Sequence, residues 1–211
     1  MANMPAKQVN YDQIAAEYDR RYAGSSLLDR GRILLDLVSE LKATQILEVG
    51  CGTGHWLAAL SGAGLRPHGL DLSRGMLQRA RLRSLALPLI RGHACQLPLA
   101  ASGFDLVFCV NALHHFEDAR SFIVEAYRIL RPDGVLAIIG SDPHGQHYRW
   151  YGYDYFEGTY GTDLARFPSW DRVHDWLQST GFRNLELGDV EHVRARYAGR
   201  QVLRDPFLKK G

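Results

Sequence analysis

Glycines alternate with other residues near position 50, directly after an apolar run that ends in an acid. The stretch is Glu48-Val49-Gly50-Cys51-Gly52-Thr53-Gly54, and leucines at helical spacing follow it. Glycine adopts positive φ and lets a ligand approach the backbone without a Cβ clash. The N-terminus of the following helix offers N–H groups to a polar or anionic group. The chemistry predicted here is the binding of a nucleotide-like cofactor.

A second acid follows at the distance where a cofactor ribose is bound. Asp71 ends the apolar segment that begins at His68, and it lies 71 − 48 = 23 residues after Glu48. A carboxylate about 20 residues past a glycine loop accepts hydrogen bonds from both ribose hydroxyls. Ser73 is a candidate helix N-cap, so Asp71 could instead belong to the start of that helix. The distance to the glycine stretch favours ribose binding.

Two other cofactor loops do not fit this stretch. An NAD fingerprint, G-x-G-x-x-G, that starts at Gly50 requires glycine where the chain has His55. Starting at Gly52, the same pattern requires glycine at Leu57. A phosphate-binding Walker loop needs Gly-Lys-Ser/Thr, which does not follow. A glycine-rich turn without a ligand is the simpler alternative that remains.

The remaining pattern, an acid two residues before G-x-G-x-G, resembles motif I of class I S-adenosylmethionine (SAM) dependent methyltransferases. Later segments are similar in order and spacing to the ubiquinone and menaquinone C-methylating group of that family. These segments are Gly92–Pro98, Phe104–Val110, Asn111–Phe116 and Arg128–Gly134. The resemblance covers about residues 10–140. It implies SAM as the cofactor and methyl transfer as the reaction.

The resemblance also implies contacts to the adenine. Leu72 and Met76 would pack on its faces, although Met76 suits the protein core nearly as well. The family usually has an aspartate before Ala94, which accepts from the adenine amino group, but this chain has His93 there. A neutral imidazole accepts through one nitrogen only. Adenine recognition would then depend on the backbone N–H of Ala94 or Cys95.

Candidate catalytic residues follow the predicted fourth strand. Asn111 ends that strand and is predicted to contact the cofactor, and His114 and His115 come shortly after it. Either histidine could act as general base for an acceptor with an ionisable proton. The resemblance favours His115 in this role, while a histidine packed in the core is an equally good interpretation.

The N-terminal segment, residues 1–43, is predicted to be a helical lid. Helices are expected over Asp12–Tyr22 and, from an amphipathic stripe, over residues 27–41. The resemblance implies that a tyrosine of this segment reaches over the SAM sulfonium. Tyr18 is the candidate nearest the chemistry and Tyr11 a candidate cofactor contact, with core packing as the alternative for both. Lid closure would exclude water.

Residues 141–168 are dense in aromatic side chains and show little helical or strand periodicity. This insert follows the predicted fifth strand, at the sheet edge where open α/β folds bind ligands. It is therefore predicted to be a cap over the acceptor substrate, the alternative being a loop packed over an exposed helix. The predicted wall residues are Tyr148, Trp150, Tyr151, Tyr153 and Tyr155. No metal site is predicted, because His144 and His147 lack a third ligand nearby.

The predicted fold is a single domain over residues 1–211, a doubly wound, Rossmann-like α/β sandwich. Its seven-stranded sheet would have the order 3-2-1-4-5-7-6, with helices on both faces and right-handed crossovers. A helix should begin after Ser169 and end at Gly181. The sixth strand is predicted over Arg183–Val193, while the seventh, within Ala198–Leu208, lacks clear alternation.

Composition narrows the function classes further. The net charge of +2 indicates no particular partner. An arginine cluster between residues 74 and 91 is interpreted as a solvated helix face rather than an RNA-binding surface. The three scattered cysteines, the polar N-terminus and the lack of a long apolar run predict a cytoplasmic protein without a membrane span. The sequence predicts no oligomeric state.

The predicted function is transfer of the SAM methyl group to a small-molecule acceptor by direct displacement. A tRNA or protein methyltransferase is the first alternative, and a SAM-binding interaction protein without transferase activity is the second. The sequence does not identify the acceptor or the atom that is methylated.

Overall fold

Five parallel strands form one sheet in the computed structural model, which describes residues 9–22, 28–145 and 150–190. The strands are β1 (Ile46–Val49), β2 (His68–Asp71), β3 (Leu89–Arg91), β4 (Phe104–Val110) and β5 (Leu130–Ile139). Their order is β3-β2-β1-β4-β5. The chain forms β1, β2 and β3 outward towards one edge of the sheet, and then returns to form β4 and β5 on the other side of β1. The carboxyl ends of β1 and β4 therefore form the topological switch point, where sheets of this kind bind ligands.

Helices flank the sheet. They are α1 (Tyr11–Ile14), α2 (Leu28–Leu41), α3 (His55–Gly62), α4 (Arg74–Arg83), α5 (Ala119–Ile129), α6 (Thr159–Arg166) and α7 (Trp170–Thr180). Short 3-10 helices cover Tyr18–Tyr22, Leu113–His115 and Tyr151–Asp154. Ser73, Asp118 and Ser169 cap α4, α5 and α7 by accepting backbone hydrogen bonds. The end of α7 at Gly181, with φ 114°, confirms the predicted stop.

Side-chain alternation along the buried strands separates two apolar layers. In β4, Leu106 and Phe108 contribute to one cluster with α2 and α3, whereas Val107 and Cys109 contribute to another with α5. Phe122 of α5 is fully buried in the second cluster. Burying a side chain of this size stabilises a fold by about 1.5–3 kcal/mol. These layers fix the strand ends that carry the candidate site residues.

The amino ends of β1 and β4 are joined by one carboxylate. Asp105 accepts from the backbone N–H groups of Thr44 and Gln45, each at 2.9 Å, and from the Thr44 hydroxyl at 3.1 Å. Arg131 donates to its other oxygen. Although burial opposes ionisation, these donors lower the pKa of Asp105 to about 2. This edge of the sheet is thereby fixed, opposite the candidate site.

The C-terminal part departs from the predicted seven-stranded sheet. The predicted sixth strand is wrong over residues 183–190, which contain no strand. Asn184 adopts a left-handed φ of 54°, and Leu187 is 74% exposed, so this segment is neither extended throughout nor packed along a sheet. Residues 191–193 and the predicted seventh strand lie outside the described residues.

Two further predictions are corrected. The predicted helix Asp12–Tyr22 is divided into α1 and the 3-10 helix Tyr18–Tyr22, because residues 15–17 form turns. The insert contains regular structure that its periodicity did not predict, namely the 3-10 helix Tyr151–Asp154 and α6. Gly158 starts α6 with a left-handed φ of 79°.

Within the described ranges, no helix is long and apolar enough to cross a membrane.

Candidate cofactor and acceptor site

The glycine stretch forms the loop between β1 and α3, and its glycines serve different purposes. Gly50 has φ 73°, and a Cβ there would lie 2.6 Å from the Ala112 Cβ, so close packing requires this glycine. Gly52 has φ 54°, and the nearest atom to a Cβ built on it is Tyr18 Cε1, at 3.9 Å. The space in front of Gly52 is therefore where a ligand can approach the backbone.

The start of α3 leaves donors for such a ligand. Gly54, with φ 71°, is the N-cap and provides no side-chain hydrogen bond, and the first turn has no acidic residue. The N–H groups of Gly50 and Cys51 are already used, both donating to the carbonyl of Leu70. The Cys51 side chain is buried in a cluster with Leu57. The Gly52 N–H is also used, because it donates to Asp71, so backbone donors for a ligand remain at the start of α3.

Asp71 lies at the end of β2 and connects the loop to α4. One carboxylate oxygen accepts from the Gly52 N–H at 2.8 Å and the other from the Ser73 N–H at 2.8 Å. Burial raises the pKa of Asp71, and the N–H groups of Ser73, Gly52 and Leu72 lower it. A carboxylate has about four acceptor positions, so these three donors leave capacity for a further one. Leu72 beside it is 51% exposed, whereas Met76 is 1% exposed and belongs to the core.

Glu48 is a buried carboxyl group beneath the loop. It is 1% exposed, and its Oε2 atom has no hydrogen-bond partner among the described residues. Burial raises its pKa well above the ordinary value, and the nearby charge of Asp71 raises it further, while the Leu57 N–H lowers it. The neutral carboxyl group is therefore favoured. A buried acceptor without a donor is costly unless a ligand or water supplies one.

His93 occupies a tight turn after β3. Its Nδ1 accepts from the Cys95 N–H at 3.2 Å, and its Nε2 lies 3.3 Å from Glu117 Oε2. The neutral ring satisfies both contacts when Nε2 carries the proton. In that state the ring has no acceptor left for an adenine amino group. Ala94 is buried, and the Cys95 N–H is occupied by His93.

The N-terminal segment lies over the loop and reaches the predicted catalytic histidines. Tyr11 Oη is 2.6 Å from His115 Nε2, and the two rings meet edge to face. Tyr18 contacts Tyr11 edge to face, 6.1 Å between centroids. Asp12 accepts from the Ser73 hydroxyl and from the Gly75 N–H at the start of α4. The structure thus brings Tyr11, Tyr18 and His115 together.

His114 faces the opposite side, towards a cavity. Its ring stacks on Phe167 with 3.7 Å between centroids and lies 3.9 Å from the His115 ring. The cavity is shallow, about 10 Å³ or room for about one water molecule, and lies at the carboxyl ends of β4 and β5. Its other walls include Asn111, Ile139 and Trp170. Asn111 is exposed, with φ 51°, and its N–H donates to the Ile139 carbonyl.

Of the predicted wall residues, the described side chains Trp150, Tyr153 and Tyr155 do not line this cavity. Trp150 and Tyr153 contact each other edge to face, and the Tyr153 hydroxyl donates to Asp163. Tyr155 is 75% exposed. Tyr148 and the Tyr151 side chain lie outside the described residues. Among described residues of this region, Phe167 and the following Trp170 line the cavity instead.

Known proteins are similar to this chain in sequence and in fold. A family model described as a methyltransferase domain matches residues 47–138. A malonyl-[acyl-carrier protein] O-methyltransferase of a Methylovorus species is 32% identical, over 89% of this chain and 66% of the relative. A demethylmenaquinone methyltransferase of Anoxybacillus flavithermus is 28% identical, over 84% of this chain and 87% of the relative. A solved SAM-dependent methyltransferase of Thermotoga maritima superposes with a TM-score of 0.61 at 27% identity, covering 82% of this chain and 80% of that chain. The chain belongs to the SAM-dependent methyltransferases.

This methyltransferase spans about half the length of some relatives, 52% for the malonyl-[acyl-carrier protein] O-methyltransferase of Serratia marcescens. Three of its features fit SAM, which carries an ammonium group, a carboxylate and a ribose. Oε2 of Glu48 lacks a donor, the start of α3 offers donors, and Asp71 retains acceptor capacity. Within residues 9–22, 28–145 and 150–190, no group of three His, Cys, Asp or Glu side chains could hold a metal ion.

Sequence reasoning missed the residues that fasten the N-terminal segment and line the cavity. Asp12 and Phe167 belong to no motif, and their partners are far away in the chain. Arg79, interpreted from sequence as part of a solvated face, donates to the Ala16 carbonyl at 2.5 Å. The sequence signal was that the predicted lid contains acidic residues and the following helix α4 is rich in arginine. Sequence alone does not show that these two elements contact each other.

Proposed function

We propose that this methyltransferase methylates a small-molecule acceptor that binds against the shallow cavity between His114 and Trp170. When bound, SAM supplies a methyl group activated by a positively charged sulfur. The observation that supports the proposal is the continuous row from the glycine loop to the cavity, in which Tyr11, His115 and His114 contact one another in turn. The row connects the predicted cofactor side with the cavity side.

Cofactor binding is assigned to the loop side. The start of α3 would donate to the cofactor, Asp71 would accept from the ribose, and exposed Leu72 would pack on the adenine. Glu48 would accept from the ammonium group. Asn111 stands between the two sides. These roles use the carboxyl oxygens of Asp71 and Glu48 and the exposed side chain of Leu72.

The acceptor side provides flat apolar walls and few polar groups. Phe167, Trp170 and Ile139 would hold an apolar or planar acceptor, and His114 or His115 would take a proton from an ionisable one. Tyr11, hydrogen-bonded to His115, would orient that ring. Most of the rate enhancement is expected from alignment of the acceptor with the methyl group and exclusion of water.

The alternative acceptor, RNA, receives less support. Arg79 and Arg83 of the arginine-rich helix α4 contact the N-terminal segment and are not available as an open phosphate-binding surface. We further propose a cytoplasmic location, in line with the three free cysteines.

Labelled SAM incubated with the protein and a fractionated cell extract tests the function. We expect S-adenosylhomocysteine to form together with one labelled small molecule. Demethylmenaquinone is a defined candidate, because a relative carries a name with that substrate. Label found only in RNA or protein, or SAM binding without any transfer, would contradict the proposal.

A further inference from the structure

Three side chains join the N-terminal segment, the glycine loop and α4. The Thr53 hydroxyl donates to Asp19 Oδ1 at 2.5 Å, and Arg83 Nη2 lies 2.8 Å from Asp19 Oδ2. Arg83 Nε also donates to the Thr53 carbonyl at 3.1 Å. Each residue therefore contacts the other two, in a closed triad of Asp19, Thr53 and Arg83.

The triad lies directly beside the candidate cofactor site. Thr53 separates Gly52 from Gly54 and is 1% exposed, while the Arg83 and Asp19 side chains are 29% and 42% exposed. Asp19 follows Tyr18, whose ring faces the open space at Gly52. A single exposed ion pair contributes little to stability. Here the same carboxylate also accepts from a buried hydroxyl, and hydrogen bonds to a charged group are stronger than neutral ones.

A neighbouring contact strengthens the attachment. Tyr22 stacks on His55, the first residue of α3, with 4.0 Å between ring centroids. The nearby Arg83 charge and burial both lower the pKa of His55, burial more strongly, whereas Asp19 raises it. The neutral ring is favoured, which suits stacking without adding a second cation beside Arg83. The segment is thus held to the loop from Tyr18 to Tyr22.

We propose that Arg83 is a positioning residue for methyl transfer. It holds Asp19 against Thr53, keeps Tyr18 over Gly52 and fixes the loop backbone from which the cofactor is bound. The proposal rests on the SAM-dependent function proposed above. Loss of Arg83 frees the segment to move away from the loop, so the cofactor leaves more readily, although no reacting group has changed.

Arg83→Gln tests this, with Arg81→Gln as the matched control. Arg81 lies on the same helix, is exposed, and forms no hydrogen bond or ion pair within the described part of the chain. By calorimetry we expect Arg83→Gln to raise the Kd for S-adenosylhomocysteine about tenfold, the range for losing a charge-assisted hydrogen bond, and Arg81→Gln to leave it unchanged. Arg83→Lys keeps the charge but not both donors, and we expect an intermediate Kd.

Two readouts separate positioning from general stability. The Kd of the wild type should increase with salt more steeply than that of Arg83→Gln, because salt screens a partly exposed pair. Trypsin should cleave after Arg20 faster in Arg83→Gln, and S-adenosylhomocysteine should protect this bond in the wild type. Asp19→Asn should raise the Kd similarly, and the double variant Asp19→Asn/Arg83→Gln should add little more.

The outcomes are distinguishable. If Arg83→Gln lowers the melting temperature but binds S-adenosylhomocysteine as the wild type does, Arg83 is only structural and the proposal is overturned. Equal effects of Arg83→Gln and Arg81→Gln would overturn it as well, while leaving the SAM-dependent function intact. A wild-type protein that does not bind S-adenosylhomocysteine would overturn both the function and this proposal.

Discussion

Glu48 combines complete burial with a raised pKa, and this makes stability depend on pH. The unfolded chain releases the Glu48 proton near the ordinary pKa of 4.5, whereas the folded protein retains it to higher pH. The Glu48 contribution is therefore fully present below the unfolded pKa and declines as pH rises towards the folded one, by at most about 1.4 kcal/mol per pH unit. The same proton governs whether Oε2 can accept fully from a cofactor ammonium group.

Glu48→Gln should remove this decline, because glutamine keeps the shape and cannot ionise. Melting temperatures measured from pH 4 to pH 8 should fall less steeply in the variant than in the wild type. Glu40→Gln, at an exposed position of α2, is the control and should follow the wild type. If melting temperature changed with pH in the same way in wild type and Glu48→Gln, the Glu48 proton would not contribute to the pH dependence of stability.

At His93, the hydrogen bond to the Cys95 N–H can be tested by two replacements. Aspartate, the residue typical of the family, can accept the same N–H two residues ahead, whereas alanine cannot. We expect His93→Asp to bind S-adenosylhomocysteine at least as well as the wild type, and His93→Ala to bind about two- to tenfold more weakly. Titration calorimetry checks both. Wild-type affinity of His93→Ala would show that this turn does not influence adenine recognition.

Some site residues were predictable because their role depends on local spacing. Gly52 and Asp71 follow strands at a characteristic distance, and the structure joins them by a hydrogen bond. The pair of Tyr11 and His115 was not predictable as a contact, since 104 residues separate them. Which histidine faces the cavity also depends on backbone geometry after β4 that residue type does not specify.

At the scale of elements, Asp105 joins the starts of β1 and β4. Asp105→Ala leaves the N–H groups of Thr44 and Gln45 without their acceptor, and we expect a loss of about 1–3 kcal/mol in the free energy of unfolding at pH 7. Because the pKa of Asp105 is lowered to about 2, this contribution is present above the ordinary value near 4 and disappears as pH falls through 2.

Urea unfolding at pH 7 and at pH 2.5 measures this difference. The difference in the free energy of unfolding between wild type and Asp105→Ala should be largest at pH 7 and smaller at pH 2.5. Asp36→Ala, at an exposed position of α2, should lie close to the wild type at both pH values. An Asp105→Ala protein as stable as the wild type at pH 7 would show that the strand starts do not need this carboxylate.

Elements with strong patterns were predicted well, and elements that depend on distant partners were not. The order of β1 to β5 follows from apolar runs that alternate with helices, and the order 3-2-1-4-5 is confirmed. In α4, periodicity showed the buried face but not that Arg79 and Arg83 support the N-terminal segment. The insert lacked periodicity because its aromatic rings pack mainly on one another, as Tyr153 does on Trp150 and Tyr160.

For the whole molecule, the switch point between β1 and β4 separates the proposed cofactor side from the proposed acceptor side. Phe167→Ala removes the ring that stacks on His114. We expect affinity for S-adenosylhomocysteine to stay within about 0.5 kcal/mol of the wild type, as for distant sites. Methyl transfer should fall, by as much as about a hundredfold if the acceptor is displaced by about 1 Å.

Phe156→Ala is the control for this test, because Phe156 belongs to the same insert but is 43% exposed and does not line the cavity. It should preserve both binding and transfer. Single-turnover transfer to the acceptor identified from the extract, together with calorimetry, gives both quantities. If Phe167→Ala weakened cofactor binding as much as transfer, the cavity would be part of the cofactor site and the acceptor would bind elsewhere.

The positions of the three cysteines allow a label to report whether the cofactor is bound. Cys51 and Cys109 are buried, and burial raises their thiol pKa, so alkylating reagents should not reach them in the native protein. Cys95 is partly exposed, in the turn after β3, although burial raises its pKa too. At mildly alkaline pH, a maleimide should therefore attach once per native chain, at Cys95. The unmodified protein thus carries a single attachment point for a fluorophore whose signal would follow the arrival and departure of the cofactor.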